Sequence, residues 1–297
     1  MKRILKNQIL PLIKNPFKSG VMAAFLLALM AFTPYQSHRQ VQNSDGQSAP
    51  LMGDVVNSTF QAGEELTYKV YYNLNFVWIA AGEVTFKIED LGQQYHINAT
   101  GRTYSGYEWF FKARDNYDTY IDKTTMLPTL SVRDIHEGKY HLYSKVMFDQ
   151  NAKTATYERG SKKGEVEKKG NLDMKECMHD ILSTVYYCRT LNYDNAQAGQ
   201  SYPVKVMLDE EIYPLQYKFL GREEKKIKEL GKWSTIKFTP QVVSGAVFKE
   251  GASMKIWASA DANKVPLMIE SPVSVGTVKV VLKSWKNLKY DTTAKKE

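Results

Sequence analysis

Asp173–Leu191 reads DMKECMHDILSTVYYCRTL, the one strongly helical stretch in a chain whose flanks on both sides have the texture of strands. Met174, Cys177, Met178, Ile181, Leu182, Val185 and Cys188 recur at helical spacing and fall on one stripe, which has to be buried. Asp173 with Glu176 three positions later predicts a start resembling a capping box, Asp standing in for Ser or Thr, and the Asn192–Asn195 region supplies a stop. Glu176, Asp180, Ser183, Tyr187 and Thr190 make a polar line on the other side, either solvated or bonded to neighbouring strands.

Outward from this helix, alternation recurs in LTYKVYY, EVTFKIED, YHINATG, TLSVRDI and YHLYSKVMF, each rich in β-branched and aromatic residues. After the helix the pattern resumes in YPVKVML, YPLQYKFLG, STIKFTP, MKIWAS, VPLMIES and GTVKVVLKSW. Glu137-Gly138-Lys139 and Ser161-Lys162-Lys163-Gly164 are expected hairpin turns. The two flanks also share an order of signals. Gly63-Glu64 parallels Gly199-Gln200, Gly101-Arg102 parallels Gly221-Arg222, and Tyr120-Ile121-Asp122 leading to Leu127-Pro128 parallels Ile256-Trp257, Asp261 and Val265-Pro266. The expected fold is mainly β: two similar antiparallel β units, as a sandwich or an incomplete barrel, packed around one central α-helix.

Before these elements, Met1–Gly20 carries Lys2, Arg3, Lys6, Lys14 and Lys18 with no acid, and the apolar run Val21–Phe32 follows. Its 12 residues fall short of the roughly 20 needed to span a bilayer, so a cleaved export signal is expected over a permanent anchor, with the mature chain starting downstream of Ala31. No Cys follows the apolar run closely enough for lipid attachment at that junction. Those five basic residues supply five of the net charge of +8, and the remainder shows no clustered Lys/Arg stripe, which argues against a nucleic-acid partner. No G-x-x-x-x-G-K-S/T loop exists to cradle a nucleotide. The expected organisation is a signal peptide or anchor over 1–32, a disordered linker over 33–59, a first β unit over 60–170, the helix over 171–195, a second β unit over 196–290 and a polar tail over 291–297.

The opening GEELTYKVYYN, Gly82, the segment DNYDTYID before Leu127-Pro128, then Asp180, Ser183, Tyr186, Tyr187 and Arg189, Gly221-Arg222, and finally Trp257, Asp261 and Pro266 form a recognisable set. In these residues the chain resembles the bacterial exported-protein family known as domain of unknown function 3108. The resemblance implies export and a β-rich fold, and it brings no activity, cofactor or catalytic residue with it.

Chemistry-bearing residues are weighed against packing. Cys177 and Cys188, eleven residues apart on one helix, would sit about 16 Å apart, too far for a disulfide. His136 and His141 flank the Glu137–Lys139 turn, and a three-residue turn there would send their rings to opposite faces, so no metal site is expected. His179, Asp180 and Ser183 suggest a hydrolase trio, yet neither a strained nucleophile turn nor an oxyanion hole accompanies them. No residue is assigned a catalytic role, and no cofactor is expected. The strongest non-catalytic feature is aromatic density: Tyr104, Tyr107, Trp109, Phe110, Phe111, Tyr117 and Tyr120, with Phe76-Val77-Trp78-Ile79 nearby. Trp78, Trp109, Phe110 and Phe111, joined by Asp180, Ser183 and Tyr187 of the helix, are the expected ligand contacts. The function expected is binding or carrying of an apolar envelope component such as lipid. A structural or interaction protein of the envelope with no cavity is the alternative, and a hydrolase using the polar face of the helix is third.

Overall fold

The computed structural model describes residues 55–74, 77–109, 111–208, 210–240, 253–273 and 276–297. The expected export signal, most of the expected linker, Phe76 and Phe110 lie outside the described residues. β1 (Glu65–Leu74), β2 (Val77–Asp90), β3 (Gln94–Thr103), β4 (Ala113–Asp122), β5 (Pro128–Glu137), β6 (Tyr140–Asp149), β7 (Thr154–Gly160) and β8 (Lys168–Asp173) follow one another as an antiparallel meander. A helix, α1 (Ile181–Thr190), separates them from a second meander: β9 (Ser201–Leu208), β10 (Glu211–Ile227), β11 (Gly231–Pro240), β12 (Lys255–Ser259), β13 (Pro266–Pro272) and β14 (Thr277–Lys286). The last strand of the second meander pairs with the first strand of the first, so β1 against β14 merges both into one sheet whose two ends are β8 and β9. Among the described residues the fold is therefore one unclosed antiparallel sheet with one α-helix, and not a sandwich of two sheets.

Alternation explains which face is inside. On β4 every second residue from Ala113 to Ile121 is buried, and Val84, Phe86 and Ile88 do the same on β2. These side chains share one core with Leu66, Tyr68 and Val70 of β1, Val278, Val280 and Leu282 of β14, and Leu182 and Tyr186 of α1. Ile181 and Tyr187 face a second cluster with Val204, Val206, Phe219 and Phe238. At the seam, Met174 and Met178 pack with Val146, Phe148, Ala155 and Met207, and His179 pairs with Val206 in parallel.

That seam corrects the helix boundaries expected from the sequence. Residues 174–180 are not helical; Lys175 has φ +60°, and His179 pairs with β9. Met174 and Met178 are buried as their apolar character demands, but against the seam, so the helical spacing of the first half of the stripe is a coincidence of two environments. The real cap is Asp180, whose carboxylate accepts from Leu182 N at 2.8 Å and Ser183 N at 3.2 Å while Ser183 Oγ accepts from Asp180 N at 3.0 Å. Each end also departs from expectation. Val55 and Thr59 are buried ahead of Phe60, and the polar tail is anchored by Ala294 in the core and by β15 (Lys295–Lys296) on β11.

The hairpin between β5 and β6 is a second correction. Its loop has two residues, Gly138 at φ +60° and Lys139, so Glu137 pairs with Tyr140 and His136 directly with His141. The imidazoles share a face, Nδ1 to Nδ1 at 2.7 Å. The parallel drawn between Gly101 and Gly221 also fails in position, because Gly101 is on the third strand of its meander and Gly221 on the second.

One buried group joins the three parts of the chain. Arg189, in the last turn of α1, donates to Glu64 Oε1 at 2.6 Å and Oε2 at 2.9 Å, and to the carbonyl of Asn263 in the β12–β13 connection. Both side chains are out of water, at 3% and 0% exposure. Removing one partner strands the other charge in the core, a change that costs about 3–5 kcal/mol. Urea unfolding should show Arg189→Met and Glu64→Gln each losing stability in that range, and the double variant losing clearly less than the two losses added together.

Candidate functional site

Side chains of α1 do not fill the space between the helix and β9–β12. A cavity of about 100 Å³ remains there, walled by Val185 and Cys188 of the helix and by Val204, Tyr217, Ile236 and Phe238 of the sheet. A smaller void of about 20 Å³ lies toward β1, β2 and β14 against Leu66, Phe86 and Val280, and Val185, Arg189 and Pro266 border both. Four polar residues in the wall of the larger cavity have partners of their own. Thr184 Oγ1 donates to the carbonyl of Asp180 at 2.7 Å, Arg189 is held by Glu64, and the hydroxyls of Tyr193 and Tyr217 meet at 2.9 Å. Burial pushes the Cys188 thiol up to about 12, so it stays protonated and unreactive. Burial also lowers Lys264, at the edge of the cavity, against the opposing pull of Asp194. Such a wall favours hydrocarbon over water: an apolar cavity of about 150 Å³ stays dry and accepts benzene.

None of the described residues expected to bind ligand lines this cavity. Trp78, on β2, is exposed and has Lys279 Nζ 4.2 Å from its ring centre. Trp109, between β3 and β4, is exposed with its indole N–H donated to Gly106 O at 2.9 Å. Phe111 is half-buried against the main core. Asp180, Ser183 and Tyr187 are buried. Asp180 caps the helix and takes the Thr119 hydroxyl at 2.5 Å, so its role ties α1 to β4. His179 Nδ1 does reach Ser183 Oγ at 3.1 Å, but both residues are wholly buried. The Asp180 carboxylate is bonded to the helix and Thr119 and not to His179, whose Nε2 is buried without a partner among the described residues. Burial lowers that imidazole to about 3. A proton relay to a substrate is not assembled here. Cys177 and Cys188 are free thiols, Cys177 lying outside the helix with Lys153 Nζ at 2.7 Å. Among the described residues, no group of three or more His, Cys, Asp or Glu is placed to hold a metal ion.

Comparison with known proteins places this geometry. The profile of a family described as protein of unknown function (DUF3108) matches residues 67–283. The chain belongs to this family. No curated protein matches this DUF3108 chain. Among solved structures, a β-barrel-like protein of domain of unknown function DUF1849 from Brucella abortus is similar at 8% identity and TM-score 0.53, covering 79% of this chain and 100% of that one. A candidate exported protein with a YmcC-like fold from Bacteroides fragilis has 10% identity and TM-score 0.30, covering 78% of this chain and 99% of that one. A candidate lipoprotein from Parabacteroides distasonis has 10% identity and TM-score 0.28, covering 77% and 100%. The first of these supports a barrel-like fold for the DUF3108 chain. No helix among the described residues is long and apolar enough to cross a membrane.

Inside the sheet of this DUF3108 protein, away from the cavity, Asp115 is buried beside Glu137. Burial first and the Glu137 charge second push its carboxyl up to about 8, while the His136 N–H at 3.1 Å from Oδ1 opposes them; Oδ2 has no partner among the described residues. A raised acid contributes stability that is complete below its unfolded value of about 3.9 and is lost as pH rises through the folded value. His179 works in reverse, its contribution failing as pH falls below about 6.5. Asp115→Asn keeps the acceptor for His136 and removes the charge. Melting curves should show it gaining on the order of a few kcal/mol over the parent at pH 8, with the gain vanishing near pH 4. An equal gain at both pH values would contradict the ionisation account.

Proposed function

We propose that this protein is exported to the cell envelope and binds or carries an apolar ligand there, holding a hydrocarbon segment in the cavity between α1 and β9–β12. The observation that carries the proposal is the apolar wall of that cavity, in which Thr184, Arg189, Tyr193 and Tyr217 already have hydrogen-bond partners. Export rests on the basic N-terminus and the short apolar run at Val21–Phe32. Its size of about 100 Å³ sets what it accepts. Pockets for whole drug-sized ligands run to roughly 300–1,000 Å³, so this cavity suits one short stretch of acyl chain while the polar remainder of the ligand stays outside.

In this reading α1 is the central element between two related β units. Matching loop chemistry supports the relation. Asp122 and Asp261 each accept backbone N–H bonds from residues two or three ahead, each loop then passes through a positive-φ residue, Met126 or Lys264, and each ends at a proline opening a strand. Gly63 and Gly199, both at positive φ, each donate to a carbonyl of the second strand in their meander, at Ile88 and Phe219. A duplicated pair of units that bury one shared helix leaves its lining to be tuned on either side.

A fluorescent fatty acid tests this reading on the purified full chain, alongside mass analysis for lipid that co-purifies. The parent should bind the probe saturably, and Val185→Phe, which fills the cavity from the helix, should weaken binding roughly tenfold or more with the melting temperature held or raised. Absence of saturable binding, or binding indifferent to Val185→Phe, would favour the solid-core interaction protein instead.

A further inference from the structure

Strand order dictates that the β1–β2, β3–β4, β5–β6 and β7–β8 connections all emerge at one rim of the sheet. Neighbouring hairpins there are set about 10 Å apart, twice the spacing of paired strands. Exposed apolar side chains stand on each of them: Val77 at 55% and Trp78 at 42%, Trp109 at 50%, Tyr140 at 38% and Val166 at 52%. Single exposed apolar residues are ordinary, and Val56, Leu91, Met147, Leu220 and Tyr290 are examples at other places on this surface. What is not ordinary is that both tryptophans with large exposure sit on adjacent connections of the same rim, whereas Trp233 and Trp257 are buried. Burying such rings in the core was open to the fold, which does it elsewhere.

Lysines are interleaved with these side chains. Lys112 follows Trp109 and Phe111, Lys139 precedes Tyr140, and Lys163 lies in the turn before Val166; all three are exposed, and no acid among the described residues pairs with them. Most acids on the same connections are already engaged. Glu108 is paired with Arg114, Glu165 with Lys162 at 2.7 Å, Glu137 is buried, and Glu167 accepts the Ser161 N–H at 3.0 Å. The Trp109 indole N–H is taken by Gly106 O, so what this ring offers outward is apolar face.

We propose that this rim docks on the surface of a lipid bilayer carrying anionic headgroups, with Trp78, Trp109, Tyr140 and the two valines entering the interface and Lys112, Lys139 and Lys163 meeting the headgroups. A protein partner wants one contiguous apolar patch that it can fully desolvate, whereas here the apolar groups are spaced around a curved rim with cations between them. A bilayer interface accepts that spacing, since Trp and Tyr anchor singly at headgroup depth and each nearby Lys adds attraction to anionic lipid. The docking surface is separate from the cavity and stands whether or not the cavity takes a ligand.

Flotation of the full chain with vesicles of phosphatidylglycerol and phosphatidylethanolamine, and with phosphatidylcholine vesicles for contrast, tests the proposal. The parent should float with the anionic vesicles, shift its tryptophan emission to the blue, and release as salt rises. Trp78→Ser with Trp109→Ser should weaken binding roughly a hundredfold, about tenfold for each ring withdrawn, at an unchanged melting temperature. Lys112→Glu, Lys139→Glu and Lys163→Glu together should abolish the preference for anionic vesicles. Unchanged flotation of these rim variants would assign any membrane binding to the apolar run at 21–32 and overturn the proposal. So would no flotation of the parent, or a parent that forms dimers through the rim and loses them in the tryptophan variant.

Discussion

Arg189 brings a full positive charge to the last turn of the helix, deep inside a sheet of mostly apolar side chains, and the chain is arranged to hold it there. The carboxylate that neutralises it, Glu64, stands just ahead of β1, and the carbonyl that accepts from its Nε and Nη2 belongs to Asn263 between β12 and β13. Phe60 and Tyr186 lie over the guanidinium at 5.6 and 5.2 Å, and the Thr59 hydroxyl donates to the Arg189 carbonyl at 3.0 Å. Asn263 is in turn bonded to the carbonyls of Tyr290 and Asp291, near the C-terminal end of the chain. An ion pair so far out of water contributes little net stability over an apolar replacement, but it tolerates no partial version of itself. Its effect is to fix one position of the helix end against the start of the first meander and a loop of the second.

With the other end fixed by Asp180 on Thr119, the helix is pinned at both termini to different parts of the sheet. Its middle turn, Val185 to Cys188, then faces the sheet at a distance that these polar anchors constrain together with the packing of Tyr186 and Tyr187 into the two clusters. A helix held only by hydrophobic packing would settle until the gap closed, because interiors approach crystal density. Here the anchors resist that collapse, which gives a physical origin for an apolar cavity in an otherwise well-packed core.

Much of the fold could be read from alternation. Eleven segments identified as strands coincide, to within a residue at the start, with parts of β1–β3, β5, β6 and β9–β14. β4 was harder to see as a strand because Asp115 occupies an inward position where the pattern wants an apolar residue, and β7 and β8 because their polar texture resembles solvated loop. The helix was read about two turns too long at its start. Met174, Cys177 and Met178 kept the apolar period going across a segment that pairs with β9, and the true cap, Asp180 with Ser183, was taken for part of a polar face. Exposed Trp78 and Trp109 were singled out by aromatic density, which reports how much apolar surface a segment has and not which way it points. Val185, Ile236 and Phe238 were legible as core residues, but no pattern in a sequence reports that core residues fail to touch. The cavity depends on where two polar anchors hold a backbone, and those anchors pair residues 125 positions apart (Glu64 with Arg189) and 61 apart (Thr119 with Asp180).

The central claim is that polar anchoring of α1 leaves a dry apolar space behind Val185 and Cys188. Crystals of the protein pressurised with xenon test it most directly, because xenon enters apolar cavities of this size without needing any hydrogen bond. The account predicts a xenon atom between Val185, Ile236 and Phe238, with the Arg189–Glu64 pair unmoved. Ordered water at that position, or a helix seated against β11 with no space between them, would contradict it.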